Sequence, residues 1–156
     1  MVTAYRAEIE TAAKAHALDP DLVEALVLVE SAGQTHAYRY EPNFWVKYMA
    51  ARPEWKGQNP KRVSASYGLM QVMFVVAVEV GYTARDPEHL FVPSIGLEYG
   101  CRKLAELLRW SQGDVPQALA AYNGGRGGNA TRPFRNQPYV DLVVAQRHGL
   151  PPRATA

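Results

Sequence analysis

Residues 18–33 read LDPDLVEALVLVESAG, and the reading of this stretch decides the fold. It predicts one amphipathic helix with a carboxylate at its far end. Asp19 can cap the start, Pro20 suits a first turn where its missing N–H does no harm, and Gly33 can take the left-handed conformation that stops the helix. Leu22, Leu26 and Glu30 follow at i, i+4 and i+8 with Val23 and Val27 beside them, so Glu30 continues an apolar stripe. Partial burial and the partial negative charge of a helix C-terminus both disfavour its anion. Lifting a glutamate from about 4.3 to about 6 takes only ~2.3 kcal/mol, which partial burial supplies. Such a glutamate is a general acid near neutral pH. A helix-end glutamate pointing into solvent is the plain alternative.

Working outward, a first helix is expected from about Thr3 to Ala17, with Tyr5, Ile9, Ala12, Ala13 and His16 on one side and Arg6, Glu10 and Lys14 on the other. After the Glu30 helix, the aromatic residues Tyr38, Tyr40, Phe44, Trp45 and Tyr48 sit among Arg39, Glu41 and Lys47, interrupted by Pro42, Pro53 and Pro60. A short helix from about Asn43 to Ala51 between two loops fits this pattern. Its aromatics suit either a sugar-binding wall or a satellite hydrophobic cluster. For Val72 to Val80, β-branched content favours a strand, yet Leu69, Val72, Met73, Val76 and Val80 equally fit a buried helix. Gln71 stands out there as a polar amide among apolar neighbours, in need of backbone or ligand partners.

Asp86-Pro87 marks a turn, and Ser94 can cap a long helix reaching about Trp110, with Gly100 allowing close packing. Asp114 and Gln117 have capping-box spacing before a helix with Ala118, Leu119, Ala121 and Tyr122 on its apolar face, ending at Asn123-Gly124-Gly125. The Gly-, Asn- and Arg-rich segment to Gln137 is expected to be a mobile loop. A last helix starts near Pro138, carries Tyr139, Leu142, Val143 and Gln146, and ends near Gly149. With no repeat or linker, residues 1–156 form one expected domain, its core at about 3–149 and a frayed tail at 150–156.

Composition narrows the function classes. The 156 residues are 47% hydrophobic and 21% charged, enough for one self-sufficient core. No run of about 18 apolar residues predicts a membrane span, and the N-terminal MVTAYRAEIETAAKAH lacks the apolar run of a signal peptide. The single cysteine, Cys101, excludes an internal disulfide and falls on the stripe Leu97, Cys101, Leu104, Leu108, which predicts a buried, inert thiol. His16, His36, His89 and His148 lack metal-ligand spacing, so no metal site and no cofactor are expected. A net charge of +2 and the absence of a basic helix argue against nucleic acid. Loose groups of cations at Lys56, Lys61 and Arg62, and at Arg126, Arg132 and Arg135, leave room for a polyanionic partner.

Four pieces in this order resemble the lytic transglycosylases of the soluble-lytic type, glycoside hydrolase family 23, whose fold is similar to that of goose-type lysozyme. They are Glu30-Ser31, Gly68-Leu69-Met70-Gln71, Ala121-Tyr122-Asn123-Gly124 and Tyr139-Val140, spread over about Tyr5 to Gly149. The segment Ala37-Tyr38-Arg39-Tyr40-Glu41-Pro42 and the insertion after it resemble small stand-alone members found in bacteriophages. The resemblance implies a mainly α, lysozyme-like single helical domain with a substrate groove. It implies Glu30 as the sole catalytic acid and base, Met70 and Gln71 lining the N-acetylmuramoyl subsite, Tyr122 and Asn123 packing against or hydrogen-bonding that sugar, and Tyr139 supporting Glu30 from behind. Ser31, which turns the chain at the helix end, and Ser64 and Ser66 stand where relatives contact substrate or water.

Hydrolysing a glycosidic bond ordinarily takes two carboxylates. The position two after Gln71, an aspartate in goose-type lysozymes, is Met73 here. The resemblance therefore points to substrate assistance, cleavage of the β-1,4 bond between N-acetylmuramic acid and N-acetylglucosamine, and 1,6-anhydro products. Glu41 is either a second carboxylate or the salt-bridge partner of Arg39. The alternatives are a lysozyme-type muramidase with the same acid and a non-catalytic wall-binding or virion module. The expected partner is the peptidoglycan glycan strand, acted on by a monomer without membrane insertion. Without a signal peptide, the expected setting is a phage endolysin in the host cytoplasm, released through a holin, or a virion-associated lysin.

Overall fold

The computed structural model describes residues 3–149. Helix α1 spans Arg6–Ala15 and α2 Pro20–Ser31; a short strand β1, Tyr38–Tyr40, leads into α3, Pro42–Phe44, and a wide π turn over Trp45–Met49. Then come α4 (Pro60–Val63), β2 (Ala65–Tyr67), β3 (Val72–Met73), α5 (Phe74–Glu79), α6 (Pro93–Trp110), α7 (Val115–Gly124) and α8 (Gln137–His148). Helices α1, α2, α8, α7 and α6 each touch the next, and α6 returns to α1, so the five enclose one core. The strands form an antiparallel sheet in the order β1-β2-β3. The expected tail at 150–156 lies outside the described residues.

Helix α2 is set much as its residues dictate. Asp19 accepts from the Asp21 N–H at 2.9 Å, Pro20 occupies the first turn, and Leu22, Val23, Leu26 and Val27 are buried. Its stop differs by one residue: Ala32 takes the left-handed conformation at φ 53°, and Gly33 follows at φ 77°. The stripe of Leu22 and Leu26 is only part of the story, because Glu24 on another side of the helix is fully buried against Arg6 of α1, 3.5 Å away. Arg6, placed on the side of α1 opposite Ile9 and Ala13, also holds Glu10 and Asp21 at 2.9 and 2.8 Å.

The stretch open to both readings turns out to contain both. Val72-Met73 pairs with Tyr67 and Ser66, and Met73 in extended conformation then starts α5, so the chain changes structure where the β-ladder ends. Ser94 does not cap α6; Pro93 opens that helix after an extended Val92 with no side-chain cap. Asp114 caps α7 by accepting from Gln117 N–H at 3.0 Å, but the Gln117 amide donates to Ala130 O at 2.8 Å instead of closing a capping box. The segment expected to be mobile is thereby tied down. Buried Asn129 donates to Gly125 O at 2.9 Å and accepts from Arg135 N–H at 3.0 Å, and Arg132 grips Asp114 through both nitrogens. Cys101 is fully buried and its thiol is pushed up to about 12 by that burial. No helix among the described residues is long and apolar enough to cross a membrane.

Candidate active site

Glu30 stands in the last turn of α2, where two cavities meet. One, of about 900 Å³, runs past Ser66, Gln71, Met73, Tyr122 and Asn123. The other, of about 670 Å³, lies between Leu28, Gln34, His36 and Tyr38. Glu30, Arg39 and Gln71 border both, so the carboxyl sits beside a groove with room on each side. Burial pushes Glu30 up to about 7; a bond from Tyr139 and the positive charge of Arg39 pull it back, and Glu41 adds to the rise. Tyr139 Oη is itself buried and lacks a hydrogen bond of ordinary geometry, yet it lies close enough to Glu30 for the two to perturb each other. Burial also raises the Tyr139 phenol, which stays a proton donor behind the carboxyl.

Gln71 is placed by its turn. It has φ 49°, a left-handed conformation unusual for a residue with a Cβ, and follows Gly68 at φ 76°, where any Cβ would lie 2.4 Å from Leu90 O. Its Nε2 donates to Ala37 O and Gly68 O, both at 3.0 Å. The backbone therefore supplies the partners that the nitrogen needs, which fixes the amide and leaves Oε1 to accept from a ligand. Such a strained, doubly anchored polar residue is of the kind that clusters at functional sites.

The sheet supplies a further rung. Arg39, Ser66 and Met73 are cross-strand neighbours on β1, β2 and β3, and all three border the larger cavity. Ser66 is thus the one of the two serines that reaches the groove. Ser64 is fully buried and its hydroxyl donates to Glu41 O at 2.8 Å, while Glu41 N–H donates to Ser64 O at the same distance. Its expected contact with substrate is corrected to a brace on Glu41. Ser31 borders the smaller cavity, and its hydroxyl is engaged: Oγ donates to Leu69 O at 2.8 Å, with Val27 O 3.1 Å away, and accepts from Gly33 N–H. It joins the end of α2 to the Gln71 turn.

Met70 is the clearest correction. Its side chain is fully buried against Gly100, where a Cβ would lie 2.3 Å from the sulfur, so it does not line the groove. Only its carbonyl bears on the site, by accepting from Tyr122 Oη at 2.7 Å. That bond occupies the Tyr122 hydroxyl proton, so the ring of Tyr122 faces the groove as an apolar surface with its donor already committed. Asn123 borders the cavity and its Oδ1 accepts from Asn136 Nδ2 at 2.8 Å. Of the aromatic segment, Phe44 and Tyr48, 4.8 Å apart, border the cavity, and Phe44 and Trp45 pack on the core.

Glu41 borders the same cavity, with Oε1 3.2 Å from Arg39 Nε. Met73 borders the cavity, and its thioether offers a water no charged anchor. Among the described residues, no three His, Cys, Asp or Glu side chains gather as a metal site. The sequence reading missed Asn129 and Asn136, which hold the loop and the start of α8 beside Asn123 by donating to Ala120 O at 3.3 and 3.0 Å. An Asn in a Gly-rich stretch looks like a turn residue, and only the tertiary contact distinguishes it.

The sequence profile of the Transglycosylase SLT domain matches residues 8–138. A search of curated protein sequences finds no match. Among solved structures, the chain is similar to an inactive mutant of the lytic transglycosylase Slt from Pseudomonas aeruginosa, with a TM-score of 0.70 and 23% identity. The likeness covers 92% of this chain but 23% of that one, so the chain spans about a quarter of that protein's length. At this identity the match establishes a shared fold, mainly helical and lysozyme-like.

Proposed function

The chain belongs to the Transglycosylase SLT domain family, and from that premise we propose that it is a peptidoglycan lytic transglycosylase with Glu30 as its acid and base. One observation carries the reading. A carboxyl raised to about 7 stands where two cavities meet, next to the amide of Gln71 and with no unpaired carboxylate at the neighbouring Met73 and Glu41 positions. A groove open on both sides suits a polymer whose scissile bond lies at Glu30.

In this scheme the β-1,4 bond between N-acetylmuramic acid and N-acetylglucosamine lies beside Glu30. The acetamido carbonyl oxygen of the muramoyl sugar attacks C1. The bond from C1 to the leaving oxygen breaks, and Glu30 donates its proton to that oxygen. The Glu30 anion then takes the proton of the C6 hydroxyl, whose oxygen closes onto C1 and expels the acetamido oxygen, leaving a 1,6-anhydro ring. The acid is restored and no water is consumed. Gln71 Oε1 accepts from the acetamido N–H and holds that group within reach of C1, so positioning replaces the second carboxylate. Tyr122 packs its ring on the same sugar, Ser66 and Asn123 border it, and Tyr139 stabilises the transient Glu30 anion.

Mass spectrometry of muropeptides released from purified peptidoglycan tests the reading. Products lighter by one water, resistant to borohydride and absent with Glu30→Gln support it. The second reading, a muramidase, is favoured by Glu41 standing in the same cavity; reducible products establish it and make Glu41 the base. A non-catalytic wall-binding or virion module releases nothing. A role as a phage endolysin or virion-associated lysin follows the phage-type segment Ala37 to Pro42 and is tested by whether lysis from inside a host requires a holin.

A further inference from the structure

The chain carries only +2 overall, yet six cationic side chains border the larger cavity: Arg39, Lys47, Arg52, Lys103, Arg126 and Arg135. Against them stand Glu41, Glu79 and the raised Glu30. Four of the cations have carboxylate partners: Arg39 holds Glu41, Arg52 holds Glu54, and Lys103 and Arg126 share Glu106. Lys47 and Arg135 have no such partner among the described residues. Lys47 lies 5.1 Å over the ring of Tyr48. Arg135 lies along Gly128, which has φ 79° and where a Cβ would stand 2.2 Å from Arg135 Cδ. Glycine at 128 is what lets the arginine stem lie flat on the loop, and Asn129, by accepting from the Arg135 N–H at 3.0 Å, fixes the base of that stem.

In a strand whose muramoyl lactyl groups are all amide-linked to peptide, the sugars carry no charge for these groups to meet. Its charge is on the peptide that each muramoyl lactyl group carries, where free carboxylates project away from the sugar backbone. We propose that Arg135 and Lys47 recognise stem-peptide carboxylates, so that this cleft selects glycan strands bearing anionic peptides over strands with amidated peptides. The inference rests on the transglycosylase reading for its choice of glycan. Stem peptides are favoured over a separate phosphodiester polymer because the cations border the same cavity as Glu30, within reach of appendages on the strand bound there. Arg135 supplies a planar fork suited to a carboxylate, and Lys47 a second, point-like charge.

The test is a binding ratio, measured by calorimetry on the full chain carrying Glu30→Gln so that no turnover intervenes. Two probes are compared: a glycan tetrasaccharide with free-carboxylate stem peptides and the same molecule with those carboxylates amidated. The free-carboxylate form should bind ~10-fold more tightly than the amidated one, as a charge-assisted contact implies. Adding Arg135→Gln should cut that ratio to about 3 or less, Arg135→Lys should restore part of it, and raising salt to 0.5 M should weaken it. Since the ratio is read, a general loss of glycan affinity cancels.

Equal affinity for the free and amidated probes overturns the inference, as does a ratio that survives Arg135→Gln combined with Lys47→Gln. So does Arg135-dependent binding of a glycerol phosphate polymer with a ratio of one. A chain that keeps the ratio but releases nothing from peptidoglycan sustains carboxylate recognition and defeats the transglycosylase reading, whereas anhydro products with a ratio of one do the reverse.

Discussion

Helix α2 carries two glutamates out of bulk water, and their surroundings differ. Glu24 is fully buried, with Arg6 3.5 Å away and neither oxygen hydrogen-bonded. Glu30, six residues on, is half-buried at the groove, backed by a phenol, and the guanidinium that acts on it, Arg39, is already engaged by Glu41 at 3.2 Å. A carboxylate enclosed against a guanidinium of the next helix joins helices. One that faces a groove with a phenol behind it can hold a proton near neutrality and give it away.

The sharpest way to break the contrast is Glu30→Gln. Rates of product release should fall about 10³-fold or more, the upper range for loss of a positioned general acid. Stability should move the other way. Folding raises this carboxyl to about 7, so the folded chain holds the proton more tightly than the unfolded chain. Stability is then full below the unfolded value and is lost as pH rises to about 7, by at most about 3 kcal/mol. Glu30→Gln removes that loss and should melt several degrees above the unmutated chain at pH 8 and level with it at pH 4. A melting temperature that drops at both pH values would place Glu30 among the structural acids, with Glu24.

Arg6→Ala attacks the other glutamate. It leaves Glu24 buried and uncompensated, and chemical denaturation should show a loss of about 3 kcal/mol or more. Activity per folded molecule should persist, because Arg6 borders neither cavity of the groove. A loss under ~1 kcal/mol would mean that Glu24 finds another accommodation.

The two glutamates were not equally legible. Glu30 could be read because it extends a stripe with Leu22 and Leu26 and precedes a helix stop. Glu24 could not, because a one-stripe reading assigns it to solvent, whereas α2 packs on both α1 and α8 and so buries more than one face. The long helices were legible from their periodicity and from a few ends, Asp19, Asp114 and Gly149, whereas Ser94 caps nothing and α2 stops at Ala32, one residue before Gly33. The sheet was not, since strands of two or three residues are too short for an alternating pattern to be seen. Gln71 announced itself by polarity, but its left-handed turn did not. Ser64 and Met70 belong to the site's frame and not to its surface, a distinction that depends on which way each side chain points after folding.

A smaller effect probes Gln71. If its Oε1 holds the acetamido group, Gln71→Ala should lose about 1–3 kcal/mol in the transition state, roughly ten- to a hundredfold in rate. Gln71→Glu keeps the acceptor but removes the donors to Ala37 O and Gly68 O, so it should recover little. Turnover unchanged in Gln71→Ala would remove this residue from the reaction.

The smallest effect separates the neighbours of Glu30 by sign. The reaction needs Glu30 protonated at the first step, so activity should fall as pH rises through about 7. Arg39 lowers the carboxyl and Glu41 raises it. Arg39→Gln should therefore shift that alkaline fall to higher pH and Glu41→Gln to lower pH, and Tyr139→Phe, which removes a bond favouring the anion, should act like Arg39→Gln. Each substitution at the Arg39–Glu41 pair also frees its partner, so the double variant should lie between the two singles. The direction at Glu41 is decisive. A shifted but otherwise intact profile makes it a neighbour that tunes Glu30, while a collapse at every pH makes it the second carboxylate and, with it, a hydrolase out of the same groove.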